Sequence, residues 1–468
     1  MGNNTKALKS GFWYILSNMA VRGMALITTP IFSRLLTHEQ YGQYSNFNSW
    51  TNIAVILVTM RMEASLISAK FDFKDKLDQY NRSLIALTTL MTVVWALVLN
   101  IFSGFFTEQL QVGILYANLI LLYCFAHGIV NLFQINERFH YRYKRSVLVS
   151  VVIAVSSTVV SILLVLTMQD KFAGRVFGHV IPLAVITCVL LYLFFKKSRS
   201  IDPSVWPYAL KISLPYVPHL MSLQVLNSVD RIMITRICGA ADNAMYTIAY
   251  TCGHMVTLLM TSMNGAFAPW LAEQLHEGRT DETRRVSRYY VLLFSVLAVF
   301  MMLLAPEILL IMGGKSYLDA KYVMPPVAMG CVCQFIYTLY VNVEQFKKKT
   351  VWMAVASCGA ALLNYGLNAL LIPRYGYIAA AYTTLAGYLF LLIAHFFIVC
   401  KLGEQHTFDN RFIILLTCVM FLTTLGINYL YDYSPLRYII IGIAGVILAI
   451  TLYWKRKFVW GIVKRILH

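Results

Sequence analysis

Four oxygen-bearing side chains lie at similar depths in three apolar stretches of the second half of the chain. Asp230 is about seven residues from the outer end of one stretch. Asn364 and Asn368 are four residues apart in another, and Thr384 is about seven residues into a third. Asp230 and Thr384 are then each about 10 Å below the outer membrane surface, and Asn364 and Asn368 about 6–13 Å below it, on one shared helix face. A carboxylate, two amides and a hydroxyl can bind a hard monovalent cation, or a proton at the carboxylate. The open alternative is that the asparagines only join neighbouring helices by hydrogen bonds.

Arginines within the apolar stretches form a second candidate site. Arg22 is near the middle of the first stretch, Arg61 and Glu63 are roughly 10 Å from the cytoplasmic end of the second, and Arg231 follows Asp230. Ionisable groups in hydrocarbon cost a few kcal/mol and usually face a cavity or a partner. A guanidinium binds phosphate oxygens in pairs, so these residues are candidates for contacting an anionic substrate. For Arg22 an ion pair with Glu63 is the alternative.

Fourteen apolar stretches position these residues. A helix needs about 20 apolar residues to cross the hydrocarbon core. The predicted spans are 10–30, 43–68, 83–106, 110–135, 146–168, 172–195, 208–237, 244–272, 288–312, 322–346, 351–372, 377–400, 411–430 and 436–454. Hydrophobic residues make up 59% and charged residues 13% of the chain, whereas soluble proteins have about 25% charged residues. The sequence therefore predicts an all-α membrane protein with fourteen transmembrane helices.

Lysine and arginine alternate between the connections. The N-terminus and every second connection hold 26 of them, and the intervening connections hold 5. Basic residues favour the cytoplasmic side, so we expect both termini in the cytoplasm. The first span lacks an A-x-A-like cleavage site and is predicted to be retained. The net charge of +18 is explained by these short basic loops, so it does not indicate binding to nucleic acid.

A repeat divides the predicted spans into two halves. At an offset of 202 residues, the segment 31–45 aligns with 233–247, with an arginine and a tyrosine ten residues later in both copies. The offset corresponds to six spans, so the two copies have the same orientation. We predict a first lobe over 1–199, a second over 200–401, and two added helices over 402–468. Pro215 and Pro218 interrupt the seventh span and are the predicted hinge.

Signatures of catalysis and of metal binding were not found. The nine cysteines show no paired spacing and are expected to be free thiols. The segment 313–316 ends like a phosphate-binding loop, but Leu309 stands where the first glycine is required. We therefore predict no enzyme activity, no cofactor and no structural metal, with bound Na⁺ or H⁺ as the one open possibility.

Several motifs resemble those of Wzx-type flippases. They are the opening segment 9–14, the stretch from Arg34 to Tyr44, and the Leu-Pro-Tyr-Val-Pro segment 214–218, which is followed by Asp230-Arg231 and Ala249-Tyr250. Wzx proteins translocate O-antigen and capsular repeat units and belong to the MOP superfamily, with MATE exporters and the lipid II flippase. The resemblance covers essentially the whole chain and depends on the order of the motifs.

The resemblance implies a fold, a substrate and a site. The expected fold is MATE-like, with two six-helix lobes around a cationic cavity that works by alternating access. The expected substrate is an undecaprenyl-diphosphate-linked oligosaccharide in the bacterial inner membrane. Bilayer lipid is an expected partner, and the polysaccharide polymerase and chain-length regulator are candidate partners. Arg22 and Arg61 match cavity arginines of the lipid II flippase by span. Asp230, Asn364, Asn368 and Thr384 match a sodium site of such relatives, although Asn368 stands where a carboxylate can occur.

Two other functions fit the sequence less well. A MATE-type drug exporter would favour an acidic cavity for cationic drugs, whereas the charges of the first half are mainly positive. A membrane polysaccharide polymerase or ligase needs a sizeable outer loop for its acceptor sugar, and the predicted outer connections are short.

Overall fold

The computed structural model describes residues 23–24, 26–73, 76–140, 142–196 and 200–454, and within this part of the chain all regular structure is helical. The first described helix, α1, covers residues 26–35. The helices of the first half are α2 His38–Thr59, α3 Leu66–Asp72, α4 Leu77–Ile101, α5 Ser103–Leu110, α6 Ile114–Phe139, α7 Tyr143–Thr167, α8 Lys171–Phe195 and α9 Trp206–Ser213. Those of the second half are α10 Tyr216–Ile237, α11 Ala240–Gly253, α12 Val256–Glu277, α13 Thr280–Leu303, α14 Ala305–Met312, α15 Met324–Phe346, α16 Thr350–Tyr375, α17 Tyr377–Lys401, α18 Asn410–Leu430 and α19 Ser434–Trp454.

Ten of the fourteen predicted spans coincide with long apolar helices. In the described residues nine helices can cross a membrane, and the bent pair His38–Thr59 and Met62–Asp72 makes a tenth. The first predicted span lies mostly outside the described residues, and α19 passes only as a shorter apolar helix over Ser434–Val446. The all-helical membrane architecture is thus confirmed, while the count of fourteen stays a prediction.

The seventh and eighth predicted spans are broken. The predicted span 208–237 consists of α9 and α10, which are separated at Leu214 and Pro215. Pro215 lacks an N–H and cannot donate to the carbonyl of Lys211, four residues before it, which explains the interruption. The predicted span 244–272 consists of α11 and α12 with a turn at His254 and Met255. The interruption of the seventh span lies where Pro215 and Pro218 predicted one, whereas the prediction of the eighth span as one continuous helix was wrong.

Each half has its own apolar core. In the first half, buried side chains of α4, α6 and α8 pack together, including Leu84, Ile129 and Leu190. In the second half, α13, α15 and α17 contribute Phe294, Phe335 and Leu391 to a larger core. Cores of this kind hold the helices in place, so polar side chains can be presented between the two halves.

The halves meet where α2 packs against α10 and α11. At Gly42 a Cβ atom would lie 1.6 Å from the carbonyl oxygen of Ala240, so only glycine fits. The Asn243 amide donates to the Gly42 carbonyl over 3.0 Å. The hydroxyls of Ser45 and Thr247 are 2.6 Å apart. Ser45 and Thr247 are equivalent in the 202-residue repeat, so equivalent positions of the two copies touch each other at this contact.

The start of the predicted second lobe packs on the first half. The Trp206 indole donates to the carbonyl of Ser83 over 2.9 Å, and the Tyr208 hydroxyl donates to Asp72 over 2.5 Å. The helix α9 therefore contacts the first half, while α10 begins at Tyr216 with Pro218 in its first turn. A break thus lies at the predicted hinge, and the hinge motion itself stays a prediction.

Candidate functional site

A polar cavity of about 720 Å³ lies between the two halves. Its walls come from α1, α2 and α8 of the first half and from α10, α11, α12 and α15 of the second. Amide side chains and two arginines line it, namely Asn48, Asn52, Arg175, Gln224, Asn227, Arg231 and Gln334. The described lining contains no Asp or Glu. Such a cavity offers hydrogen bonds to hydroxyl groups and positive charge to an anion.

Arg175 is held near the end of the cavity where the halves touch. Its guanidinium carbon is 3.8 Å from the centre of the Phe32 ring and 4.4 Å from that of Tyr44. One of its NH groups donates to Ser161 over 2.7 Å. The eight ion pairs of the described chain do not include Arg175. The aromatic rings orient this cation without neutralising it.

Arg231 faces the same cavity from α10. It donates to the backbone carbonyl of Asn227 over 2.8 Å, and its guanidinium carbon is 4.6 Å from the centre of the Tyr250 ring. No ion pair of the described chain involves it, including one with its neighbour Asp230. Arg231 therefore lines the cavity, and its predicted contact with a substrate stays a prediction.

Arg61 lies at the break between α2 and α3. Met60 and Arg61 have φ values of 46° and 52°, which are uncommon for residues with side chains. The helix bends by 49° there. The guanidinium is 3.2 Å from the carboxylate of the buried Glu63. Arg61 also lines a second cavity of about 260 Å³.

The two cavities are neighbours. Both are lined by Asn52, Gln224 and Asn227, and so Arg61 lies beside the same passage as Arg231. Glu63 is paired with Arg61 and is not among the described residues that line either cavity. Arg22 lies outside the described residues, so its predicted contact with Glu63 or with a substrate stays a prediction.

Asp230 is at the centre of a separate, buried cluster. It accepts hydrogen bonds from the Tyr246 hydroxyl over 2.7 Å, from the Asn368 amide over 2.6 Å, and from the Thr384 hydroxyl. The side chains come from α10, α11, α16 and α17, and Asp230 is 2% exposed. A buried carboxylate with three donors has its charge compensated by hydrogen bonds.

The asparagines extend this cluster. Asn368 donates to the Asn364 oxygen over 3.2 Å and accepts from Thr383, while Asn364 donates weakly to Thr384 over 3.4 Å. The four residues of the predicted cation site are therefore brought together. Their oxygens face hydrogen-bond donors, so a cation requires some of these hydroxyls and amides to reorient.

Sequence reasoning missed Arg175. It is four residues after Lys171, inside an apolar stretch, and an arginine at that position is by itself a signal of a cavity or a partner. Tyr246 and Thr383 were also missed, because their roles depend on contacts with Asp230 and Asn368 that are remote in sequence.

Known families match this chain. A family described as polysaccharide biosynthesis protein matches residues 7–275, which is more than half of the chain, and the MatE family matches residues 215–370. The chain belongs to the polysaccharide biosynthesis protein family. An uncharacterized membrane protein of Methanocaldococcus jannaschii, MJ1068, is 21% identical over 92% of this chain and 91% of its own length.

Solved structures share the fold. The lipid II flippase MurJ in an inward closed conformation has a TM-score of 0.69 and 14% identity, over 95% of this chain and 99% of MurJ. An inward-facing multidrug resistance MATE transporter of the MOP superfamily has a TM-score of 0.68 and 14% identity, over 82% of this chain and 95% of its own. The fold is that of MOP superfamily transporters and flippases, as the resemblance predicted.

Proposed function

We propose that this protein is a flippase for undecaprenyl-diphosphate-linked oligosaccharide repeat units. It moves the head group from the cytoplasmic to the outer leaflet of a bacterial inner membrane, as in O-antigen or capsule synthesis. The observation that carries the proposal is the cavity between the halves, which combines unpaired arginines with amide side chains and has no described carboxylate in its lining. The family and the MurJ-like fold support the same substrate class.

The cavity matches the chemistry of this head group. A diphosphate is anionic and needs fixed cations to cross hydrocarbon, and Arg61, Arg175 and Arg231 supply them. Sugar hydroxyls both donate and accept hydrogen bonds, as do the amides of Asn48 and Gln224. The polyprenyl chain can remain in the lipid during this movement.

Alternating access requires contacts between the halves that can open. Gly42, Ser45, Asn243 and Thr247 form a close contact at one end of the cavity, which we assign to the outer side. Gly42→Leu cannot keep this contact and shifts the protein toward a state that is open there. A cysteine in place of Ser45, with the leucine at Gly42, should react faster with an impermeant maleimide than a cysteine at Ser45 alone.

The Asp230 cluster is the proposed coupling site. Binding of Na⁺ or H⁺ would neutralise Asp230 and change how α10, α16 and α17 are joined, so ion binding would bias one state over the other. Flipping would then be coupled to an ion gradient, with the substrate site and the ion site on different faces of α10.

The two rival functions fit less well. A cationic drug would meet Arg175 and Arg231 without a described carboxylate in the cavity. A polymerase would need an acceptor site in the outer connections, and the longest described one in the predicted topology runs from Leu304 to Val323 and includes the short helix α14.

Flipping in proteoliposomes tests the proposal. A fluorescent undecaprenyl-diphosphate-linked oligosaccharide becomes accessible to dithionite when it changes leaflet. We expect protein-dependent flipping that Arg175→Ala combined with Arg231→Ala slows at least tenfold. Arg374→Ala is the control, because Arg374 is an exposed arginine at the end of α16 and lines neither of these cavities. Transport of ethidium instead of the lipid would favour the exporter, and elongation of the glycan would favour the polymerase.

The coupling step needs its own measurement. An imposed Na⁺ or pH gradient should accelerate flipping in one direction, and Asp230→Asn should remove this response while leaving slow exchange. A full gradient response in Asp230→Asn would assign the cluster to helix packing alone. Orientation is tested in cells by cysteines at Ser198 and Asp242, of which only the second should react with an impermeant maleimide.

A further inference from the structure

An apolar groove of about 550 Å³ lies between α16 and α17, separate from the cavity between the halves. Trp352 and Gly359 of α16 and Phe390 and Ala394 of α17 contribute to its walls, and Lys349 and Lys401 stand at one end. None of the described residues that line this groove also lines the central cavity. The groove is therefore a second site with its own chemistry.

The groove has the length of one membrane leaflet. Lys349 and Gly359 are ten residues apart and Phe390 and Lys401 eleven, which at 1.5 Å per residue is about 15 Å along either helix. The hydrocarbon core is about 30 Å thick, so the groove reaches about to the bilayer midplane. The predicted topology places its lysine end at the cytoplasmic surface.

The two lysines at this end are not neutralised. Neither Lys349 nor Lys401 is in an ion pair of the described chain, whereas the neighbouring Lys347 is 2.5 Å from Glu404. Trp352 lies just inside them and is 53% exposed, as expected for an aromatic residue at the membrane interface. An apolar slot with two free ammonium groups at the head-group level is complementary to a lipid with a negative charge.

We propose that this groove binds one anionic diacyl phospholipid of the cytoplasmic leaflet, namely phosphatidylglycerol. One acyl chain lies along Trp352 and Ala394, and the phosphate lies between Lys349 and Lys401. The polyprenyl chain of a flippase substrate fits less well, because it is far longer than a groove that ends after one leaflet. Bound lipid would fill the seam between α16 and α17, two helices that also contribute to the Asp230 cluster.

Quenching of Trp352 fluorescence tests this proposal. The full chain is reconstituted in vesicles in which brominated phosphatidylglycerol or brominated phosphatidylcholine replaces the unlabelled lipid in steps. The signal of Trp352 is the difference between the wild type and Trp352→Phe, since the chain has 8 tryptophans. We expect brominated phosphatidylglycerol to quench this difference at a fraction at least about threefold lower than brominated phosphatidylcholine does.

Variants separate the groove from general attraction to a basic protein. Lys349→Gln with Lys401→Gln should bring the two lipids to equal quenching. Lys144→Gln with Lys348→Gln removes the same charge from exposed positions outside the groove and should keep the preference. Ala394→Phe, which fills the groove at a partly exposed position, should reduce quenching by both lipids.

Three outcomes would overturn the proposal. They are equal quenching by both lipids in the wild type, the same preference after loss of Lys349 and Lys401, and displacement of brominated phosphatidylglycerol by equimolar undecaprenyl phosphate. The last would assign the groove to a polyprenyl chain. Size-exclusion profiles of the variants show whether each remains folded, and the lysine variants are exposed substitutions that keep the fold.

Discussion

Asp230 and Arg231 are consecutive residues of α10, yet they belong to two regions with opposite chemistry. Arg231 faces the cavity between the halves, where it contacts a carbonyl and an aromatic ring and has no ion pair in the described chain. Asp230 faces the interior of the second half, where three side chains donate to its carboxylate. The positive charge of Arg231 in the cavity is available to a ligand, whereas the negative charge of Asp230 in the cluster is compensated by hydrogen bonds.

This difference determines what each region can do. An anion can bind the Arg231 guanidinium without breaking an existing ion pair. A cation at Asp230 has to displace a donor: the hydroxyls of Tyr246 and Thr384 can rotate to present lone pairs, and the Asn368 amide has to turn its oxygen inward. The cavity can therefore bind an anion in the present structure. The cluster can bind a cation only after a local rearrangement, so cation binding there can favour one conformation of the protein over another.

The largest expected effect is the loss of stability in Asp230→Ala. Three buried donors then lack an acceptor, and each unsatisfied group costs about 1–3 kcal/mol, so we expect about 3 kcal/mol or more. The measurement is thermal unfolding in detergent, followed by a thiol dye that reports exposure of the buried Cys331 and Cys333. Asp230→Asn keeps one acceptor oxygen and should lose less. Equal unfolding temperatures for the alanine variant and the wild type would contradict the conclusion that these three donors are satisfied by the Asp230 carboxylate.

Arg231→Ala should show the opposite pattern, with a large loss of flipping and little loss of stability. A charge-assisted hydrogen bond to phosphate is worth about 1.5–3 kcal/mol, so flipping should fall about 10- to 100-fold. Arg231→Lys should restore part of the rate, since it keeps the charge but not the paired donors. An unfolding temperature that falls as far as in Asp230→Ala would show that Arg231 is a structural residue.

Much of the fold could be predicted from the chain because the membrane restricts the possibilities. Apolar length identifies spans such as α6 and α17, and the alternation of basic residues indicates their direction. The breaks within the spans were harder to predict. Pro215 signals the separation of α9 and α10, but no proline or glycine reveals the left-handed Met60 and Arg61 between α2 and α3.

The Asp230 cluster could be assembled from depth alone, because Asn364, Asn368 and Thr384 are each at a countable distance from a helix end. Depth does not give the rotation of a helix about its axis. Depth alone therefore does not decide whether Asp230 pairs with Arg231, or whether Arg175 faces lipid or cavity. Those answers depend on packing between α8, α10 and the helices beside them.

Thr383→Val tests how the orientation of the Asn368 amide affects the Asp230 cluster. The Thr383 hydroxyl donates to the Asn368 oxygen and so holds the amide with its NH₂ group toward Asp230. Valine removes this donor, and the amide can turn its oxygen inward more easily. We expect a loss of about 1 kcal/mol in stability and a fall of about 2- to 10-fold in the cation concentration that half-activates flipping. Ser357→Ala, which removes a hydroxyl from α16 outside the cluster, is the control. An unchanged or higher cation requirement in Thr383→Val would oppose this account.

The smallest expected effect distinguishes charge from backbone at Arg61. Its left-handed conformation costs a residue with a side chain about 1 kcal/mol, and glycine adopts it freely. Arg61→Gly should therefore be more stable than Arg61→Ala by about 1 kcal/mol, although both lose the contact with Glu63. If Arg61 acts through its charge, both variants should flip lipid equally slowly despite this difference. If glycine restores the wild-type rate and alanine does not, the bend in α2 is what transport requires, and the cationic cavity would then consist of Arg175 and Arg231 alone among the described residues.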